Sequence, residues 1–599
     1  MPDWSYHLLF KPILSHISPQ VSREFIHKGM NRIASIPGGH HIINFLGREE
    51  SSKLLEKEIQ DVEYVNPVGL SGKIDPLLSG SRAFSNLGFG FIEIGPVTMQ
   101  PNKKPTPPTV DTSTKTICFS SNYESIGLTN TLERLKKWKP KQPVLVRIGG
   151  PDEEQVELMK TLDTYANAFI TSSTTLTLSN TNKPVYLAVS VTDIHDLPID
   201  IIQTTFSGIV LDELADTLEK DHLDNLLGAI VYLRNNGFEQ PIITVGGVLE
   251  PAHALELLDV GADLVMLSGG YVFSGPGLTK RINEAILYKC QPHYPTHSAW
   301  FWYWLFGLSI FIGGLLALLF SLTTIILPYD EQFLGMKRET IILFNDRILW
   351  FMAHDRMTLA GTMISGGIVY MTLARFGVRS GLLWAKQAID IAAILGFLGI
   401  FLFIGYGYFD WLHLIFWLVL LPIYITAYCK TKRIFGTPTS LNTKNHFIWK
   451  RSLLGQLAFV VLGFSFVLGG VVISYVGITS VFVPTDLLYI CMPKEMLDSF
   501  NSKLIPVIAH DRAGFGSALL SVGFLVLMIS LWGFQQGNKW VWWTLLIGGL
   551  PAFIAGIWIH FAIGYTNFIH LLPAYFALFL YLIGLCLTYR FFHMSTDES

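Results

Sequence analysis

Ile242-Ile243-Thr244-Val245-Gly246-Gly247 and, one helical stretch later, Leu264-Val265-Met266-Leu267-Ser268-Gly269-Gly270 decide how the first half of this chain folds. Each is a short apolar run of β type that ends in a pair of glycines. The pattern predicts a strand followed at once by a tight turn. Ala252–Val260, with helical periodicity, lies between them. Strand, helix and strand in that order imply parallel pairing. The same alternation runs upstream through Phe91–Ile94, Val144–Ile148, Ala168–Thr171, Val185–Val189 and Gly208–Leu211, with helical patterns such as Thr129–Lys137 and Glu153–Tyr165 between. About eight such units predict a (β/α)8 TIM barrel over residues 49–288. Residues 1–48 read as short amphipathic helices capping it, the second opened by Ser18-Pro19. Pro101–Lys115, rich in Pro, Thr and Lys, reads as a loop.

Half of the 599 residues are hydrophobic, too many for one water-soluble domain, and the excess lies after the barrel. Past a linker at 289–298, eight apolar spans are expected at 299–327, 357–374, 388–406, 411–429, 452–480, 514–533, 541–562 and 567–588. They predict an all-α polytopic domain of about eight transmembrane helices. Residues 430–451 carry Lys430, Lys432, Arg433, Lys444, Lys450 and Arg451 with no acid, and 375–386 carry Arg375, Arg379 and Lys386. Positive-inside logic places both segments, the barrel and the tail at 589–599 in the cytosol of a multi-pass cell-membrane protein. Loops 328–356 and 481–511 are expected outside. No basic stretch followed by an apolar core and a small-residue cleavage site heads the chain, so no leader is expected. A net charge of −3 with no basic stripe excludes nucleic acid as a partner. The five cysteines are scattered without CxxC spacing, so no metal ligand set or disulfide framework is expected from them.

The membrane region repeats itself at an offset of 156 positions. Pro328 and Asp330 recur as Pro484 and Asp486, and Phe344-Asn345 as Phe500-Asn501. Ala353-His354-Asp355-Arg356 recurs as Ala509-His510-Asp511-Arg512, and, with one insertion, Gly407 and His413 recur as Gly564 and His570. Repeat 1 (299–429) and repeat 2 (452–588) are thus expected to be parallel four-helix copies. His354, His413, His510 and His570 occupy equivalent places and form a candidate membrane ligand site. An ion, a haem or a quinone carbonyl suits histidine chemistry. Against that stands a plainer role, with Asp355 and Asp511 capping the helices that follow and the histidines bonding between loops. In a general way the repeats resemble uncharacterised bacterial membrane families.

Residues 1–288 resemble the class 2, quinone-using dihydroorotate dehydrogenases. The resemblance rests on Tyr6–Ile33, on Asn66-Pro67-Val68-Gly69-Leu70, on Leu87–Gly95, and on Ile243–Ile282 with its two glycine turns and Gly275-Pro276. It implies a two-helix cap at a quinone entrance. It also implies FMN, its phosphate held by Gly246, Gly247, Ser268, Gly269 and Gly270, and Ser173 as the catalytic base. Where the family pattern has flavin-contacting lysines, this chain has Pro76 and Ala188. Where it has substrate-gripping asparagines, this chain has Arg147 and, nearby, Glu213. Two readings follow. One is a membrane-integral FMN oxidoreductase that takes dihydroorotate, or a related CH–CH substrate, to orotate with quinone as acceptor in pyrimidine biosynthesis. The other is a catalytically degenerate barrel that acts as a ligand-binding or regulatory module for a membrane domain of transport, redox or sensing function. The lipid bilayer is the implied partner in both.

Overall fold

The computed structural model describes residues 2–48, 50–176, 181–213, 216, 221–290, 296–402, 408–434 and 436–594. The expected equivalence of Gly407 with Gly564 lies outside these residues. So do the end of the third expected span, the middle of the linker and the extreme C-terminus. Two compact units form: residues 1–292 with 437–449, and residues 293–436 with 450–598.

The first unit is a closed eight-stranded parallel barrel. Its strands are β1 (Val68–Leu70), β2 (Phe91–Val97), β3 (Val144–Ile148), β4 (Ala168–Thr171), β5 (Val185–Ser190), β6 (Gly208–Asp212), β7 (Ile242–Val245) and β8 (Leu264–Leu267). Each pairs with its sequence neighbour, and β8 closes on β1 through Val265 opposite Val68. Side chains alternate across each strand. Phe91, Leu145, Ala168, Ile170, Val210, Ile243, Val245, Leu264 and Met266 fill the interior together with Tyr64. Val144, Val146, Phe169, Ile242 and Val265 pack outward under the helices. Tyr64 comes from an antiparallel hairpin, Lys57–Ile59 with Val62–Tyr64. The expected loop Pro101–Lys115 contains a strand, Thr109–Asp111, which pairs with Thr116–Cys118. The cap contains the helices Pro19–Ser35 and Gly39–Gly47.

The second unit is helical: α1 (Trp300–Thr323), α2 (Arg338–Thr372), α3 (Leu383–Gly399), α4 (Trp411–Lys430), α5 (Phe447–Ile478), α6 (Leu504–Trp532), α7 (Lys539–Ala562) and α8 (Phe568–His593). Among the described residues, seven of these are long and apolar enough to cross a membrane. The exception is α3, the third expected span. It is 17 residues long and carries Lys386 and Asp390, whose ion pair at 2.5 Å also receives Tyr303. The segment expected as an outer loop, 328–356, is instead a short helix (Pro328–Leu334) followed by the first turns of α2, bent at Asn345 (φ −165, ψ 108). Asn501 takes the same extended conformation (φ −160, ψ 110) before α6.

The repeat seen in the sequence is a physical one. Cβ atoms built on Gly307, Gly314 and Gly367 would strike the facing backbone between α1 and α2, and those on Gly463, Gly470 and Gly523 would do so between α5 and α6. Small residues at these matched positions let the helix backbones approach closely, as packing in lipid favours. Asn345 donates to the Ile490 carbonyl and Asn501 to the Leu334 carbonyl. Phe344 and Phe500 stack on each other at 3.8 Å.

Candidate functional site

The period-two pattern that fills the barrel with apolar side chains changes at its C-terminal end. One step beyond Phe91, Leu145 and Val210 along their strands, the inward positions are Glu93, Arg147 and Asp212. Arg147 Nε donates to Glu93 at 2.5 Å and its Nη1 to Asp212 at 2.7 Å. Lys73, just past β1, reaches Asp212 at 2.7 Å and Glu213 at 3.6 Å. Ser71 Oγ and Gly72 N donate to Glu93. Burial would raise the Asp212 carboxyl, but Arg147 and Lys73 outweigh it and hold it well below the usual carboxylate range. Burial would lower the Lys73 ammonium, but Asp212 and Glu213 leave it above its ordinary value. The end of the barrel that carries catalytic groups in this architecture is therefore tied across by five charged side chains.

The two glycine turns meet beside this network. Gly246 and Gly247 are left-handed (φ 80 and 72), a conformation that glycine adopts without penalty. Gly247, Gly269 and Gly270 line a cavity of about 260 Å³ together with Val248, Leu249, Glu213, His222 and Lys115. A Cβ on Gly270 would come within 2.2 Å of the Val248 carbonyl oxygen. The turn is thus built to bring backbone close to the cavity, and Gly269 and Gly270 begin a helix, where N–H groups have no partner within the helix. Glu213 reaches into the same place. It accepts from Ser268 Oγ at 2.9 Å, and a Cβ on Gly246 would lie 2.0 Å from its Oε1.

No family model matches the chain. Among curated proteins it is 27% identical over 347 residues to a dihydroorotate dehydrogenase (quinone) of Christiangramia forsetii, a match covering 47% of this chain and 99% of the relative. It is 25% identical over 342 residues to one of Ectopseudomonas mendocina, covering 46% and 98%. The barrel half is similar in sequence, at low identity, to the quinone-dependent dihydroorotate dehydrogenases. Among solved structures, the Eimeria tenella DHODH in complex with ferulenol is 16% identical, with 45% of this chain and 91% of that one covered and a TM-score of 0.36.

Of the five residues expected at the FMN phosphate, Gly247, Gly269 and Gly270 line one cavity, and Gly246 and Ser268 lie against Glu213 beside it. Ser173 is elsewhere, in the loop after β4. It receives Thr175 as a hydrogen-bond partner at 3.1 Å, and Thr175 in turn donates to Asp152. The phosphate end of FMN suits the glycine turns, whose backbone approach leaves room for an anion. The flavin ring does not suit the barrel end, because the Lys73–Asp212–Arg147–Glu93 network would have to part to admit it.

In the helical unit the four expected histidines sort into two clusters, each drawing on both repeats. His354 of α2 meets His570 of α8 and also His560 of α7; His510 of α6 meets His413 of α4 and also Asp410. His560 and Asp410 were not singled out in the sequence. The partners that the repeat offers them are Phe403 and Asn567, so neither residue shows as a repeated histidine or acid. Asp355 and Asp511 do not cap helices. They are buried within α2 and α6 and pair across the repeats, Asp355 with Arg512 at 3.3 Å and Asp511 with Arg356 at 2.7 Å. Arg356 also holds Asp330, and Arg512 holds Asp486.

Proposed function

We propose that the barrel is a ligand-binding module for the membrane domain, descended from a dihydroorotate dehydrogenase, and that it has given up the family reaction. The observation that carries this reading is the five-residue charge network across the catalytic end of the barrel. A site built to hydrogen-bond a substrate discriminates by orders of magnitude through its polar partners. Here those partners are committed to one another. The ligand is an anion of the phosphate class, bound through the glycine turns. The link to the membrane domain is covalent: residues 437–449, which join the two repeats in the chain, fold with the barrel. Asn445 Nδ2 donates to the Leu249 carbonyl, its backbone N–H to Glu250, and Arg281 reaches its Oδ1 at 2.6 Å. Leu249 also lines the glycine cavity, so occupancy of the cavity and seating of this segment share one residue.

The same reading sets the barrel and both chain ends on the cytosolic side, with α3 as a short eighth crossing, because the acid-free basic segments border α3, α4 and α5. Leu9, Ile13, Val21, Phe25, Ile36 and Ile42 leave the cap with exposed apolar side chains, as a segment resting on a bilayer would have.

A second reading is favoured by one observation, the match along 99% of the Christiangramia forsetii relative. It is a membrane-integral FMN oxidoreductase that passes electrons from dihydroorotate to quinone, with Ser173 as base. One experiment separates the two. Detergent-purified full-length protein is examined for bound flavin by absorbance and assayed for dihydroorotate-dependent quinone reduction, and phosphate and FMN are titrated by calorimetry. Phosphate binding with neither bound flavin nor turnover is expected. A yellow preparation that reduces quinone with dihydroorotate would sink the proposal.

A further inference from the structure

Three imidazoles, none of which the barrel needs, meet in the helical unit. His354 and His560 are buried, and their Nε2 atoms face each other at 3.0 Å. His570 brings a ring nitrogen within 4.8 Å of the ligand atoms of both. Each of the first two rings has its other nitrogen committed to an acceptor. His354 Nδ1 lies 2.9 Å from the Asp355 carboxylate, which Arg512 holds on its far side. His560 Nδ1 lies 2.5 Å from the Gly556 carbonyl, a group that can only accept. In the neutral form of each ring these acceptors place the single proton on Nδ1, so that both Nε2 atoms present lone pairs to each other. Two lone pairs at that distance repel unless something positive sits between them. Two nitrogens bound at about 2.0–2.1 Å to one tetrahedral ion stand about 3.3 Å apart, close to the spacing observed.

We propose that His354, His560 and His570 bind one divalent transition-metal ion of the zinc class through their ring nitrogens. Three neutral imidazoles suit zinc and its neighbours, and they leave a fourth coordination position for water or an anion. The surroundings are those of a metal site. A carboxylate orients His354 and a backbone carbonyl orients His560, which fixes their tautomers and makes them better donors. On His570, Nδ1 is 3.1 Å from the Tyr565 hydroxyl, which itself donates to Asp486. The ligands come from α2, α7 and α8, so the ion would clamp the first repeat to the second. The other cluster is electrostatically different. There the Asp410 carboxylate lies 2.6 Å from His413 Nδ1 and supplies the negative charge itself, and it is not part of the proposal.

Tag-free full-length protein in detergent is stripped with chelator and titrated with Co²⁺ and then Zn²⁺. Visible ligand-field bands are expected with Co²⁺, abolished by stoichiometric Zn²⁺, and elemental analysis of the zinc-loaded protein should find at least one equivalent per chain. His560→Ala and, separately, His570→Gln should each lose one equivalent relative to wild type. Wild-type protein that is monodisperse but takes up neither ion overturns the proposal without reliance on any variant. So does a folded His560→Ala protein with wild-type metal content; in that event the two rings share a proton.

Discussion

Glu213 illustrates how one side chain changes what a glycine turn can do. Its carboxylate lies against Gly246 and Ser268, in the cavity where a backbone cradle would otherwise favour an anion. Replacing it by Gln removes a like charge and leaves the shape nearly unchanged. Affinity for inorganic phosphate should then rise, by about tenfold if the repulsion is worth about 1.4 kcal/mol. Calorimetry that shows no gain would mean that the cavity does not receive anions. Gly270→Ala should act in the opposite direction. Its Cβ would strike the Val248 carbonyl, costing about 1–3 kcal/mol of barrel stability as overpacking does and closing the cavity. Arg147 tests the network itself. Arg147→Met leaves Glu93 and Asp212 buried without their shared partner, which costs about 3–5 kcal/mol at neutral pH. The folded value of Asp212 lies below its ordinary 3.8, so its contribution is present above that pH and fades as acid drives the pH down through the folded value. In the variant, burial acts unopposed by Arg147 and raises the carboxyl, so the gap to wild type should narrow on acidification. Thermal melts followed by limited proteolysis of the barrel, run from pH 7 down to below 3.8, check this. The sequence showed that Arg147 and Glu213 stand where the family pattern has other residues. It did not show that they are held in one network with Lys73. Arg147 and Asp212 are 65 positions apart and Lys73 and Asp212 are 139, and only closure of the barrel brings them together.

At the scale of elements, the strands were legible and the entry to each repeat was not. Strands announce themselves as short apolar runs between polar or glycine-bearing stretches, and seven of the eight barrel strands fall on one; β1 falls on the Asn66–Leu70 segment that carried the family resemblance. The stretch 328–356 carries Asp330, Glu331, Arg338, Asp346, Asp355 and Arg356, and so many charges suggest a solvated loop. Their partners are inside the protein: Asp330 meets Arg356, and Arg356 meets Asp511 in the other repeat. A polar segment whose charges are satisfied by its own copy can be buried, and nothing within one repeat reveals that. The crossing gives a coupled prediction. Asp355→Asn and Arg512→Met should each destabilise the helical unit, Arg512→Met by about 3–5 kcal/mol because it strands two acids. The double variant should lose less than the sum, since each single change already breaks the shared pair. Thermal unfolding of the four proteins in one detergent closes the cycle. Strict additivity would mean that the 3.3 Å contact contributes nothing. The same changes at Asp511 and Arg356 should repeat the pattern, because the second copy is built the same way.

The whole molecule poses a question of sidedness, and the distribution of charge supplies an expectation for it. Barrel, repeat 1, the joining segment 437–449 and repeat 2 follow one another in the chain, and the joining segment belongs to the barrel's unit. A segment that folds with the barrel has to be on the barrel's side of the bilayer. That is also where its flanks, with Lys430, Lys432, Arg433, Lys450 and Arg451, are expected to lie. The proposed topology, drawn from packing and from charge, accordingly has an even number of crossings between the barrel and residue 437. Among the described residues, three helices of that stretch, α1, α2 and α4, are long and apolar enough to cross a membrane; on the proposed topology α3 completes the count in spite of Lys386 and Asp390. Those two neutralise each other one turn apart, which lowers the cost of placing them in lipid. The exposed cysteines turn this into a measurement. Cys290 lies at the end of the barrel and Cys491 in the region between α5 and α6, and both are exposed. A membrane-impermeant maleimide applied to intact cells should label Cys491 and spare Cys290, and inverted vesicles should show the reverse. Labelling of both from the same face would leave α3 outside the bilayer and would place one repeat upside down relative to the other.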